Sequence, residues 1–274
     1  LAKTYEARGR VPELLALRKR ELELELPADR KLVVRLEVAR LLGHLEDKGG
    51  RVEMLRANLS DQPGHQDSIA EVTSVLEGKG RSAELAELLG GQARRLEDQD
   101  PARAAGLWSR VAKIGEEQLR DTERALQAYR RVVGLAPSID ALEALSRIHL
   151  GRNEPALAAA RLEKQLDATK GVEARNQVAL RLADARLAAG RTVRAILALE
   201  RAVGEDPTSS TARDRLADLY RKSSKQLELA NLLRDGATHA TGEVQSAYVK
   251  ESAGLYRELG VSERAIGMLE AARE

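Results

Sequence analysis

Five prolines punctuate this chain at a nearly constant interval. Pro27, Pro63, Pro101, Pro137 and Pro207 are separated by 36, 38, 36 and 70 residues, so the last gap is about twice the others. Gly171 falls midway in that gap, and Gly242 lies 35 residues beyond Pro207. Apolar residues of helical period run between these marks, and a period of this length signals stacked copies of one small unit. The stretch from Val178 to Pro207 shows the unit most clearly. Leu182, Ala183 and Arg186 precede Gly190, and Ala195, Leu199 and Ala202 follow it. Two antiparallel helices joined by a tight turn account for the pattern, with Thr192 as the expected N-cap of the second. The small side chains of Ala183 and Ala195 mark where the two helices approach closely. One such hairpin cannot bury its apolar face alone, so it needs neighbours on both sides.

The punctuation predicts eight hairpins, over 1–26, 28–62, 64–98, 100–136, 138–169, 171–206, 208–240 and 242–274. Pro12 and Pro155 fall near the start of a second helix, where a missing N–H costs nothing. A longer period lies over the first. Gly9, Gly80 and Gly151 are 71 residues apart, with Ser223-Ser224 following at about the same interval. The other turns, at Gly50, Arg120-Asp121, Gly190 and Gly260, are 70 apart. The spacing predicts hairpins that alternate between long and short, with the long ones protruding from one edge. Lys48-Gly49-Gly50 is expected as a turn, and Asp121 and Ser262 as helix caps. Gly90-Gly91 inside a second helix predicts a kink or the close approach of a neighbour.

These residues resemble the tetratricopeptide repeat pattern, W-x2-L-G-x2-Y followed by A-x3-F and P. The resemblance is carried by Leu182-Ala183-x2-Arg186, Leu216-Ala217-x2-Tyr220, Ala253-x2-Tyr256, Ala125-x3-Tyr129, Ala195-x3-Leu199 and Ala265-x3-Leu269, with Leu1-Ala2-x2-Tyr5 as a partial copy. It implies an all-α fold, a right-handed α-solenoid forming one domain over 1–274. It also implies a protein-interaction scaffold whose concave groove is lined by first helices and holds a peptide or partner helix. The expected groove residues are Glu143, Arg147, Gln177, Asp184, Asp214, Asp218, Arg221, Lys250 and Arg257. Family members that bind chaperone tails hold a terminal carboxylate with Lys-x3-Asn, and no asparagine here has a lysine four residues before it. The three aspartates would suit a basic partner. Trp108, Tyr129, Tyr220 and Tyr256 are expected in the core, and Tyr248 at the surface.

Composition narrows the function. With 43% hydrophobic residues the chain can build a core, and with 2% aromatics it suits stacked Leu/Ala helices better than one large globule. A net charge of +2 gives no strong pull toward nucleic acid or anionic membranes. Cysteine is absent, which excludes disulfides and thiol chemistry. No run of about 18 apolar residues exists to span a bilayer. His44, His65, His149 and His239 share no metal-ligand spacing, and His149 stands at a tyrosine position in the core. Gly78-Lys79-Gly80-Arg81-Ser82 lacks the spacing and the preceding strand of a phosphate loop. The expectation is therefore no catalysis, no cofactor and no metal. A peptide-sensing module of a larger regulator is the alternative, and an RNA-binding repeat ranks below it. The Leu/Ala/Arg/Glu style resembles bacterial arrays in motility, polarity or secretion assemblies, which implies a cytoplasmic location. The chain opens in what reads as mid-helix, so a piece of a longer protein is expected. The uncapped amphipathic end ERAIGMLEAARE could self-associate.

Overall fold

The computed structural model describes residues 2–77 and 80–271, without the side chains of residues 262 and 268–271. Leu1, Gly78, Lys79, the side chains of Ser262 and Leu269, and most of the last amphipathic helix's side chains therefore lie outside the described residues, with the expectations placed on them. Among the described residues all regular structure is helical. The helices pair along the chain: α1 (Ala2–Ala7) with α2 (Val11–Leu22), α3 (Ala28–His44) with α4 (Lys48–Asp61), α5 (Gln66–Glu77) with α6 (Ser82–Leu96), and α7 (Pro101–Lys113) with α8 (Thr122–Leu135). Then come α9 (Ile139–Gly151) with α10 (Pro155–Ala168), α11 (Val172–Ala188) with α12 (Thr192–Glu205), α13 (Ser210–Lys222) with α14 (Gln226–Ala237), and α15 (Gly242–Glu258) with α16 (Ser262–Ala271). The fold is an all-α solenoid of helical hairpins, and the substantial helix contacts join neighbours in the chain.

The chain divides into two compact units, Leu1–Ala141 and Leu142–Glu274. In the first, Leu15, Val34, Val38 and Leu42 form one buried cluster, and Leu55, Leu76, Leu85 and Leu89 are fully enclosed. In the second, Leu162, Leu182, Leu199, Leu216, Tyr220 and Leu233 form a continuous core. Ala230, Ala253, Tyr256 and Ala265 form another cluster near its C-terminal end. Each fully buried leucine contributes about 1.5–3 kcal/mol. The repeated alanines between them let helices approach without voids.

One device ends every first helix. The turn into the second helix contains a single residue of positive φ: Gly9, Glu46, Gly80, Arg120, Asn153, Gly190, Ser224 or Gly260. In most, the next N–H reaches back five residues, as in Asp47 to the Leu42 carbonyl at 2.9 Å and Val261 to Tyr256 at 2.8 Å. This is a left-handed C-terminal cap. It corrects three sequence expectations. Gly49 and Gly50 lie in the first turn of α4, because Glu46 supplies the left-handed residue and Asp47 caps the Gly50 N–H at 3.0 Å. Gly151 is the last residue of α9, and Asn153 makes the turn. Thr192 is already helical, and Arg191 occupies the cap without a side-chain bond. Asp121 does cap α8, accepting from Arg124 N at 2.9 Å.

The α7 turn is the exception. Residues Ile114–Gln118 continue α7 as π-helix, and the Asp121 N–H returns to the Gly115 carbonyl, six residues back, at 2.8 Å. From Ala112 to Arg120 there is one more residue than from Ala183 to Gly190 or from Ala217 to Ser224. The π turn thus absorbs a one-residue insertion while keeping the core register. Gly115 permits it, since a Cβ there would lie 3.2 Å from the Ala125 nitrogen.

Long and short units alternate as the sequence implies, but the difference sits in the first helices alone. α3, α11 and α15 have 17 residues, whereas α5, α9 and α13 have 12 or 13. The second helices from α2 to α14 keep 12–15. Aligned on the small core residues Ala39, Thr73, Ala112, Ser146, Ala183, Ala217 and Ala253, the long helices begin eleven residues earlier and the short ones seven. The extra turn, about 6 Å, is therefore N-terminal, and arginines secure it. Arg30 binds Glu21 at 2.5 Å, Arg103 binds the Gly64 carbonyl, and Arg175 binds Glu205 at 2.8 Å and the Leu166 carbonyl at 2.7 Å.

Candidate functional site

All nine residues expected in the groove fall in the second unit, on the first helices α9, α11, α13 and α15. They are exposed. Their spacing of three, four and seven places them opposite the buried stripe of each helix. Leu182, Leu216 and Tyr256 anchor those stripes, each no more than 2% exposed. The groups on this face are held rigidly at their bases and loosely at their tips.

The face is a lattice of pairs between successive first helices. Glu143 accepts from Arg181 at 2.7 Å. Asp184 is paired with Arg215. Asp214 accepts from the Tyr248 hydroxyl at 2.7 Å. Arg221 bridges Asp218 at 2.9 Å and Glu251 at 2.8 Å. Gln177 points along its own helix to Glu173 at 3.5 Å. Lys250 and Arg257 have no ion pair among the described residues, and Arg147 lies exposed one turn beyond Glu143.

Tyr248 is placed from beneath. Arg213 is 3% exposed and lies 5.9 Å from the Tyr248 ring centre. It passes Gly236, where a Cβ would sit 2.5 Å from its Cδ, and donates to the Pro207 carbonyl. Burial and then the bond to Asp214 push the Tyr248 hydroxyl above its ordinary value, so it stays a neutral donor. The bond to Glu251 raises the Arg221 guanidinium further. Two carboxylates therefore share one guanidinium, and a third meets only a hydroxyl. Lys250 and Arg257, exposed on α15 either side of Glu251, bring positive charge to the same face.

Sequence reasoning did not single out Arg181, Arg215 or Glu251, and it placed Tyr248 at the surface without its partner Asp214. A signal existed: each lies 30–38 residues after its partner, about one hairpin period. The aromatics behave as expected. Trp108, Tyr129, Tyr220 and Tyr256 are buried, and Tyr248 is half-buried with its hydroxyl at the surface. His149 is fully buried in the core, with Nδ1 2.6 Å from Glu154. The described residues contain no group of three potential metal ligands. No described helix is long and apolar enough to cross a membrane.

The fold and this face define a class: an all-α array of helix hairpins with a charged, laterally paired surface on its first helices. Solved structures similar to the chain include the MamA protein, 13% identical with a TM-score of 0.40, covering 65% of this chain and 93% of that one. Another is YrrB, described as a TPR protein with an unusual peptide-binding site, 17% identical with a TM-score of 0.40, covering 65% and 88%. A tetratricopeptide repeat protein from Parabacteroides merdae is 15% identical with a TM-score of 0.38, covering 89% and 100%. The sequence matches no protein-family model and no curated protein. At these similarities the hairpin architecture rests on the chain's own helices.

Proposed function

We propose that this protein is a non-catalytic scaffold that binds a peptide or helix of a partner protein on the first-helix face of its second unit. The observation that carries the reading is that Asp214, Asp218 and Glu251 have one guanidinium, Arg221, among them, all exposed and all attached to helices fixed by a buried core. A ligand with arginine or lysine can insert into such a lattice, because exposed ion pairs contribute only about 0–1 kcal/mol each and exchange partners readily. Lys250 and Arg257, before and after Glu251 on α15, would meet an acidic or carbonyl group of the same ligand. A partner that alternates basic and acidic side chains is therefore favoured over a uniformly charged one. Membership of a bacterial motility, polarity or secretion assembly belongs to the same proposal.

The test is a binding titration of the whole chain with a blocked, labelled peptide containing arginine and leucine, followed by fluorescence anisotropy. Replacing Asp214 and Asp218 together by asparagine is expected to weaken binding about three- to tenfold. An equal affinity for the peptide's glutamine counterpart, or no effect of the double substitution, would overturn the assignment of this face.

A further inference from the structure

A second site lies in the first unit, among helices α6, α7 and α8. The second helices α6 and α8 border a cleft of about 460 Å³ whose floor is the Trp108 ring on α7. A glycine borders it. Counted from the positive-φ turn residue, Leu85 and Leu89 of α6 hold the register of Ala125 and Tyr129, Ala158 and Leu162, and Ala195 and Leu199, and both are fully buried. The next residue, where those helices carry Arg130, Glu163 and Glu200, is Gly90. With no side chain there, the edge of Trp108 comes against the helix. A Cβ on Gly90 would lie 3.4 Å from the ring. The close approach expected at Gly90-Gly91 is therefore by a side chain, and α6 runs unbroken from Ser82 to Leu96.

The charge of the cleft is asymmetric. The Trp108 Nε1–H donates to Glu97 at 2.8 Å, which fixes the ring. Glu97 also takes Arg131 at 3.3 Å. Arg94 lies 5.8 Å from the ring centre and has no acid partner among the described residues. A guanidinium lying over an aromatic ring keeps its in-plane N–H donors free, and their fork matches a carboxylate. Arg131 adds a second cation on the facing wall, while the floor of indole and Val111 is apolar.

We infer that this cleft binds an acidic segment of a partner protein, with one aspartate or glutamate carboxylate on Arg94 and the adjoining apolar side chain against Trp108 in the space Gly90 leaves. Nucleic acid fits less well. Glu87 stands in the same wall, one aromatic ring gives no stacking platform, and of the lining arginines Arg124 and Arg131 are already paired with Asp121 and Glu97. The site is distinct from the first-helix face of the second unit and takes a ligand of opposite charge.

Trp108 is the protein's single tryptophan, so fluorescence excited at the red edge, where tyrosine does not absorb, reports on this cleft. The experiment titrates the full chain with a blocked peptide of leucine and glutamate. The same is done with its leucine–glutamine twin and with an oligothymidylate. A saturable change is expected with the acidic peptide, at a Kd on the order of 10–100 µM. The glutamine twin and the Arg94→Ala variant should each bind at least about fivefold more weakly. Gly90→Leu, which puts a bulky side chain into the cleft beside Trp108, should abolish the change. Arg94 is exposed, so a melting curve matching the parent confirms that its variant is folded. No saturable change, equal binding of the glutamine twin, or a response to the oligonucleotide in place of the acidic peptide overturns the proposal.

Discussion

Hairpins α5–α6 and α11–α12 fill one core register alike and differ at the residue beside it. In the second, Leu199 is 1% exposed, sealed among neighbouring helices, and Glu200 follows it. In the first, Leu89 holds the same register at 0% exposure, and Gly90 follows it and borders a cleft floored by Trp108. Helices α6 and α12 are otherwise alike in length, 15 and 14 residues. A hairpin array contacts only its neighbours, so one unit can lose a side chain without disturbing units further along. Specialisation in such a chain can be a subtraction beside the core register, provided a neighbour covers part of the gap.

The comparison yields three predictions of decreasing size. Leu199→Ala should cost about 2–5 kcal/mol, because it empties a sealed site that cannot collapse fully. A shift of the urea midpoint at unchanged slope measures it, and a loss below about 1 kcal/mol would show the site is less tightly packed than its burial indicates. Gly90→Ala should raise stability by up to about 1 kcal/mol, since alanine favours the helix and its Cβ has room beside Trp108. A destabilised variant would mean that the ring, not open space, occupies the position.

The smallest effect concerns the extra turn of α11. Hydrogen bonding to Arg175 holds the Glu205 carboxyl down at about 2, against an ordinary value of 4.5. Because the folded-state value is depressed, the pair's stabilisation is fully present above pH 4.5 and is lost as pH falls toward about 2. Glu205 is a third exposed, so solvent screening limits the contribution to about 1 kcal/mol or less. Glu205→Gln should melt below the parent at neutral pH, and the gap should close on acidification. A gap that stays constant with pH would assign the effect to packing instead.

Much of this was legible in the residues. The proline and glycine period, the Ala-x3-bulky pattern and the buried tyrosines follow from local rules of helix start, stop and face. The left-handed turns at Glu46 and Asn153 were not, because glycines two to four residues away offered the more obvious turn. On the first-helix face, exposure was legible from period alone. Pairing was not: which arginine meets Asp184 or Glu143 depends on how two helices a full hairpin apart are set side by side.

Spacings within one or two helical turns dictate that this protein is built of helix pairs and which side of each helix turns inward. Packing between helices settles the rest: the long units gain their length at one end of the first helix, acids and bases pair across that face, and a cleft opens over Trp108 beside Gly90. Those outcomes depend on distances between segments 18 to 38 residues apart, which helix packing sets and no local pattern encodes.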